Sequence, residues 1–182
     1  HMYFKSKNKN DFLNDFYENQ TDNYDSYRLR MLHGKPEIME LLPLSYDSNI
    51  LLLAGGTGDL LDYFNYNDLK KIKNIDNIDY CKHLLNFCKH KFNNFKNINC
   101  ILENILEMKH EKKYDLIIIT YSLTMINKWD EIIDKCIRAL KDNGFIAICD
   151  FTIVNNNFYN RLIKYCFSLD QVYLESTHMN LL

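Results

Sequence analysis

The residues with the clearest chemical meaning are Gly55-Gly56-Thr57-Gly58, set inside NILLLAGGTGDLL at 49–61. An apolar run of strand length meets a glycine cluster, and helical spacing resumes after it, which reads as strand, tight turn and helix. Glycine suits such a turn because a ligand must come close to the backbone, in dihedrals that a side chain would block. The amides of the following helix then point at an anionic or polar ligand. A nucleotide-type ligand fits that description, and Asp76 stands about as far beyond Gly58 as a ribose-binding carboxylate at the tip of a second strand would.

Two further clusters could bear chemistry. The piece Tyr24-Asp25-Ser26-Tyr27-Arg28 through His33-Gly34-Lys35 is rich in side chains able to bind or polarise a ligand. It reads equally as an amphipathic helix with a solvated face. Cys81, His83, Cys88 and His90 have metal-like spacing. On one helix, however, residues two apart point roughly 200° apart, so the four cannot converge and no metal is expected.

Elements that would position these groups follow from periodicity. Residues 3–10 read as frayed and Asp11 to Leu42 as two or more helices, followed by a strand into the glycine turn and a short helix over 60–64. A second strand is expected over 69–76, ending on Asp76. A helix capped by Asp79 would bury Cys81, Leu84, Leu85, Cys88 and Phe92. Strands are expected over 98–103, 114–121 and 145–151, with a helix over 129–141 stopped by Asn143-Gly144 and another over 158–167. The alternation predicts an α/β, Rossmann-like, doubly wound and mostly parallel sheet. It would form one domain over 11–182, with a helical cap at 11–45 and the core at 46–182.

Composition narrows the partners. The chain has 182 residues, a net charge of -2 and no dense basic block, which argues against binding nucleic acid through its phosphates. No apolar run reaches the ~18 residues that a membrane span needs, so a cytoplasmic protein, at most peripheral to a membrane, is expected. His1-Met2 reads as a cloning remnant, the six cysteines as buried free thiols, and the heavy use of asparagine as a bias of the coding DNA.

Together, GGTGDLL, Asp76 and the run YDLIIITYSLTMINKWDEIIDKCIRALKDNGFIAICDF resemble class I S-adenosylmethionine-dependent methyltransferases. More narrowly, YDSYRLRMLHGKPEIM and YSLTMINKW resemble the methyltransferase portion of betaine-lipid synthases, which N-methylates diacylglycerylhomoserine. The resemblance implies that Gly55, Gly56, Thr57 and Gly58 surround the methionine part of S-adenosylmethionine and that Asp76 holds the ribose. Asn104 would meet the adenine, while Thr120 and Tyr121 line the cleft. Tyr24, Arg28, Asn77 and Ile105 join the cofactor-binding set by the same argument, and His33 and Lys35 match ligand-facing positions. Leu52 and Ala54 occupy places where that family has an acid and a glycine.

Methyl transfer from a sulfonium to a neutral amine needs alignment, exclusion of water and loss of one proton. His33, Tyr24 and Tyr121 are the candidates nearest that chemistry, with structural or cofactor hydrogen bonding as their other reading. The expected product is S-adenosylhomocysteine, and the expected acceptor a lipid headgroup or a small amine. The alternative is a methyltransferase-type fold kept as a non-catalytic binding or regulatory subunit. The family sheet closes with an antiparallel hairpin, for which LDQVYLESTHMNLL is too short. The edge at 145–151 is therefore expected to be covered by further chain, a partner or a second copy.

Overall fold

The structure, a computed structural model, describes residues 32–126 and 128–151. Five strands form one parallel sheet: β1 (Asn49–Leu53), β2 (Asn74–Asp79), β3 (Ile98–Leu102), β4 (Tyr114–Thr120) and β5 (Leu140–Cys149), in the spatial order β3-β2-β1-β4-β5. The order reverses between β1 and β4, so the chain crosses from one half of the sheet to the other there, where open α/β sheets leave a crevice at the carboxyl ends of their strands. This is the Rossmann-like architecture that the alternation predicts. The helices are α1 (Lys35–Leu41), α2 (Tyr66–Lys71), α3 (Lys82–Lys91) and α4 (Trp129–Ala139).

Both faces of the sheet are buried, which explains why β1 and β4 read as unbroken apolar runs. On one face, Leu51, Leu53, Ile78, Ile117 and Ile119 pack with Ile132, Cys136 and Ala139 of α4. On the other, Ile50, Leu52, Ile75, Leu116 and Ile118 pack with Leu61, Leu69, Cys88 and Phe92. Ile38, Met39 and Leu42 join the second cluster, so α1 is built onto the same core as the sheet. The amphipathic stripe expected on the helix after Asp79 is seen in α3, which buries Leu84, Leu85 and Cys88.

Three boundaries differ from expectation. Residues 66–71 form α2, capped by the Asn65 side chain accepting from the Asn67 amide at 2.9 Å, and the second strand starts only at Asn74. The lysine-rich run that reads as a strand start is therefore the last turn of a helix, a good place for cations. Helix α4 stops at Ala139, before Asn143-Gly144, and β5 begins at Leu140. There Lys141 pairs with Asp115, and a register irregularity between Tyr114 and Leu116 absorbs the mismatch. The helix expected over 158–167 and those expected over 11–31 lie outside the described residues, as do Tyr24 and Arg28.

Candidate functional site

The turn after β1 shows why glycine is needed. Ala54, Gly56 and Gly58 all adopt left-handed backbone, with φ of 51°, 52° and 71°, so the chain coils back on itself and the Gly58 amide donates to the Gly55 carbonyl at 2.8 Å. A Cβ on Gly55 would come within 2.2 Å of Asn77 Oδ1, and one on Gly58 within 2.7 Å of Cys88 Sγ. The loop thus rests directly on β2 and α3. Asn77 is fully buried beneath it and donates from Nδ2 to the Gly56 carbonyl at 3.1 Å, a support for the loop rather than a wall of the cleft.

Asp79, at the end of β2, is the carboxylate that meets this turn. Its Oδ2 accepts from the Gly56 amide at 2.8 Å and its Oδ1 from the Cys81 amide at 2.7 Å. Asp76 does not reach the tip of the strand. It lies mid-strand opposite Leu51, 2% exposed, and accepts from Lys113 Nζ at 2.7 Å, Tyr114 Oη at 2.9 Å, and Asn74 and Asn99 at 2.9 Å each. Burial alone would push its pKa up, but these four donors outweigh it and hold the carboxyl below its usual range. Asp79, not Asp76, is thus the β2 carboxylate that reaches the tip of the strand beside the glycine turn. Spacing from Gly58 admits either residue, and only the true start of β2 decides between them.

A cleft of about 280 Å³ opens beside that tip, between the ends of β2 and β3, lined by Tyr80, Lys82, His83, Leu102, Glu103 and Asn104. Asn104 lines it, but its side chain is engaged in its own turn: Oδ1 accepts from the Leu106 amide at 3.1 Å and Nδ2 donates to Glu107 Oε1 at 3.1 Å. Ile105 points into the core under α4. Glu103 is the lining carboxylate here, its amide tied to the Asp79 carbonyl at 3.1 Å.

Across the switch point, Thr120 ends β4 beside Cys149, and Tyr121 follows in left-handed backbone at φ 53°. A non-glycine residue held there is strained by roughly 1–2 kcal/mol. The Tyr121 amide donates to the Cys149 carbonyl at 2.8 Å, its ring tilts against Phe151 at 4.9 Å, and its hydroxyl accepts from Cys149 Sγ at 3.5 Å. Burial first and Cys149 next push its phenol above the usual range. Asp150 fastens the following turn, accepting from the Leu123 amide at 2.8 Å and from Thr124 Oγ1 at 2.6 Å. Ser122 Oγ is buried with no hydrogen-bond partner.

From the amino-terminal side, Lys35 is buried and ion-paired with Asp59, directly after Gly58, and lies 5.9 Å from the Tyr121 ring centre. It braces the glycine turn, so a ligand carboxylate would have to compete with Asp59 for it. His33 is exposed, and its carbonyl lies 3.8 Å from Cys149 Sγ. Gly55 to Gly58 and Thr120-Tyr121 thus meet at one end of the sheet, with Asp79 and Glu103 at the same end.

A parallel sheet with a glycine turn after β1 and a carboxylate at the tip of β2 defines a Rossmann-like α/β protein built to hold a nucleoside-bearing ligand. The chain belongs to a methyltransferase family: the model described as "Methyltransferase domain" matches residues 45–179. No curated protein sequence matches it. Among solved structures it is similar to the YcgJ protein of Bacillus subtilis (11% identity, 81% of this chain and 63% of that one, TM-score 0.67). It is also similar to an S-adenosylmethionine-dependent methyltransferase of Aquifex aeolicus (15%, 79% and 81%, 0.58). A third is Haemonchus contortus phosphoethanolamine N-methyltransferase 1, bound to phosphoethanolamine and S-adenosylhomocysteine (16%, 76% and 31%, 0.61). The chain spans less than two thirds of the Bacillus subtilis protein.

Proposed function

We propose that the chain binds S-adenosylmethionine at the carboxyl ends of its strands and methylates an amine. The observation that carries this reading is the joining of the glycine turn to Asp79 through the Gly56 amide, beside a cleft walled by Glu103. The residues fit the cofactor. A backbone folded flat by three left-handed positions admits close approach, Asp79 suits ribose hydroxyls, and the Glu103 carboxylate suits an exocyclic amine. Thr57 is buried within the turn.

When bound, S-adenosylmethionine supplies a methyl group already activated by its sulfonium, which leaves the protein to align the acceptor and exclude water. Tyr121 and Phe151 form an aromatic pair at the ends of β4 and β5, across the switch point from that cleft, suited to an amine carrying positive charge before it loses its proton. Tyr121 stays protonated at neutral pH, so it orients the acceptor and does not take its proton. Asp150 is committed to the Leu123–Thr124 turn. That leaves His33, and Tyr24 outside the described residues, as candidate bases.

The finer reading takes the acceptor to be an amine-bearing lipid headgroup such as diacylglycerylhomoserine, or a small soluble amine. It is supported by the sequence resemblance and by a structural relative that holds phosphoethanolamine. No described helix is long and apolar enough to cross a membrane. A non-catalytic role has one observation in its favour: Leu52 is buried in the apolar core where an acid would anchor the cofactor's amino group. Calorimetry separates the two. Heat with S-adenosylhomocysteine followed by methyl transfer to one member of a lipid and soluble amine panel is expected. Silence at millimolar ligand sinks the enzyme reading for this chain.

We also propose that the β5 edge is covered by a second copy or a protein partner. Among the described residues β5 is the outer strand beside β4, and Phe145 on it is 56% exposed. Sedimentation of the chain alone as a stable, soluble monomer would remove that proposal.

A further inference from the structure

A chain of polar contacts runs from the middle of the sheet to the wall of the cleft. Asp76 accepts from Tyr114 Oη at 2.9 Å; Tyr114 Oη lies 2.8 Å from His110 Nδ1; and His110 Nε2 lies 3.6 Å from Glu103 Oε2. Proton counting fixes its direction. Asp76 is an ionised acceptor, so the single Tyr114 hydroxyl proton must go to it, and His110 Nδ1 must then be the donor to the Tyr114 oxygen. With Nδ1 carrying a proton, Nε2 can meet the Glu103 carboxylate favourably only when it is protonated as well. The His110–Glu103 ion pair therefore forms only when the ring is charged.

We propose that His110 is a positioning residue for ligand recognition: held by Tyr114 and Asp76, it fixes the Glu103 carboxylate on the wall of the cleft and makes the protein's choice of nucleobase depend on pH. This rests on the reading that the cleft takes the adenine end of the cofactor, and it adds a residue that touches no ligand. The surroundings are consistent with a group placed for this purpose. Tyr114 is fully buried and cannot swing away, and Asp76 is anchored from three other directions by Lys113, Asn74 and Asn99. The loop carrying His110 is tied down at the Met108 carbonyl by Lys135 of α4, 3.3 Å away. The charged and titratable groups around His110 are Glu103 from β3, Asp76 from β2, Lys113 and Tyr114 from β4, Lys135 from α4, and Lys109 and Glu111 on its own loop. Of these, Glu103 faces Nε2 and Tyr114 faces Nδ1.

The test compares binding of S-adenosylhomocysteine with that of S-inosylhomocysteine, which replaces the exocyclic amine by a carbonyl, by calorimetry between about pH 5.5 and 8.5. Wild type should prefer the adenosyl ligand, and the preference should shrink as pH rises, because the pairing with Glu103 needs a charged ring. His110→Ala should lower the preference about fivefold at the acid end and flatten its pH profile. Tyr114→Phe should weaken the pH dependence, and in ring-nitrogen NMR it should release His110 from the Nδ1–H form expected in wild type. Unchanged preference and pH profile in His110→Ala, with both ligands still bound and the fold intact by circular dichroism, overturn the proposal alone. Failure of wild type to bind either ligand overturns the nucleoside reading and the proposal with it.

Discussion

Asp76 and Asp79 sit three residues apart on β2 and do opposite work. Asp76 is sealed in the sheet, where a lysine, a tyrosine and two asparagines donate to it. Asp79 stands at the tip, where two backbone amides fix it beside the glycine turn. One strand therefore carries an aspartate that holds the fold and another that, on the reading proposed above, holds the ligand, and their difference comes from depth along the strand alone. If this division is right, their substitutions separate cleanly into stability and binding.

The largest effect should come from Asp76→Ala. It leaves the buried Tyr114 hydroxyl and the amides of Asn74 and Asn99 short of an acceptor, for a loss of about 3 kcal/mol, or a melting temperature lower by roughly 10 °C. Ligand affinity measured below that temperature and near pH ~8.5, where the His110 relay contributes least, should stay within about threefold of wild type. Asp79→Asn should do the reverse. The loss of a charged acceptor should weaken S-adenosylhomocysteine roughly 30-fold by calorimetry, about 2 kcal/mol, while thermal stability falls by less than about 1 kcal/mol. Equal effects on stability and binding in either variant would break the contrast.

The overall sheet was open to reading from the sequence because its signals are local: unbroken apolar runs in β1 and β4, an amphipathic stripe in α3, a glycine cluster between strand and helix. Which aspartate reaches the strand tip was not, because it depends on where β2 begins, and LKKIKNID satisfies strand and helix rules alike until α2 claims its first half. Asparagines that read as coding bias turn out to hold the fold. Asn97 donates to both the Leu69 and Ile72 carbonyls, and Asn77 supports the glycine turn. Those pairings lie more than twenty residues apart in sequence, so no local pattern announces them. The contact of His110 with Glu103 is hidden for a different reason, since it depends on the path of a loop that carries no periodic signal.

A smaller effect concerns acid. The folded carboxyl of Asp76 is held below its unfolded value of about 3.9, so its contribution is fully present above roughly pH 5 and is lost as pH falls through the folded value. Stability measured by denaturant between about pH 5 and 2 should fall less steeply in Asp76→Asn than in wild type, by up to one proton's worth of slope. Asp79→Asn is the control, and a slope change of the same size there would erase the distinction between the two sites.

The smallest effect tests the ligand end for strain. Ala54 opens the glycine turn at φ 51°, where a side chain costs roughly 1–2 kcal/mol and glycine costs nothing. Ala54→Gly removes that strain but gives the unfolded chain more freedom, which takes back about 0.5–1 kcal/mol. The net gain should be about 0.5 kcal/mol in denaturant unfolding. If the alanine also distorts the cradle, ligand affinity should rise with stability. A gain in stability without a gain in affinity would mean that the turn already holds its binding shape, and that Ala54 strains the fold rather than the site.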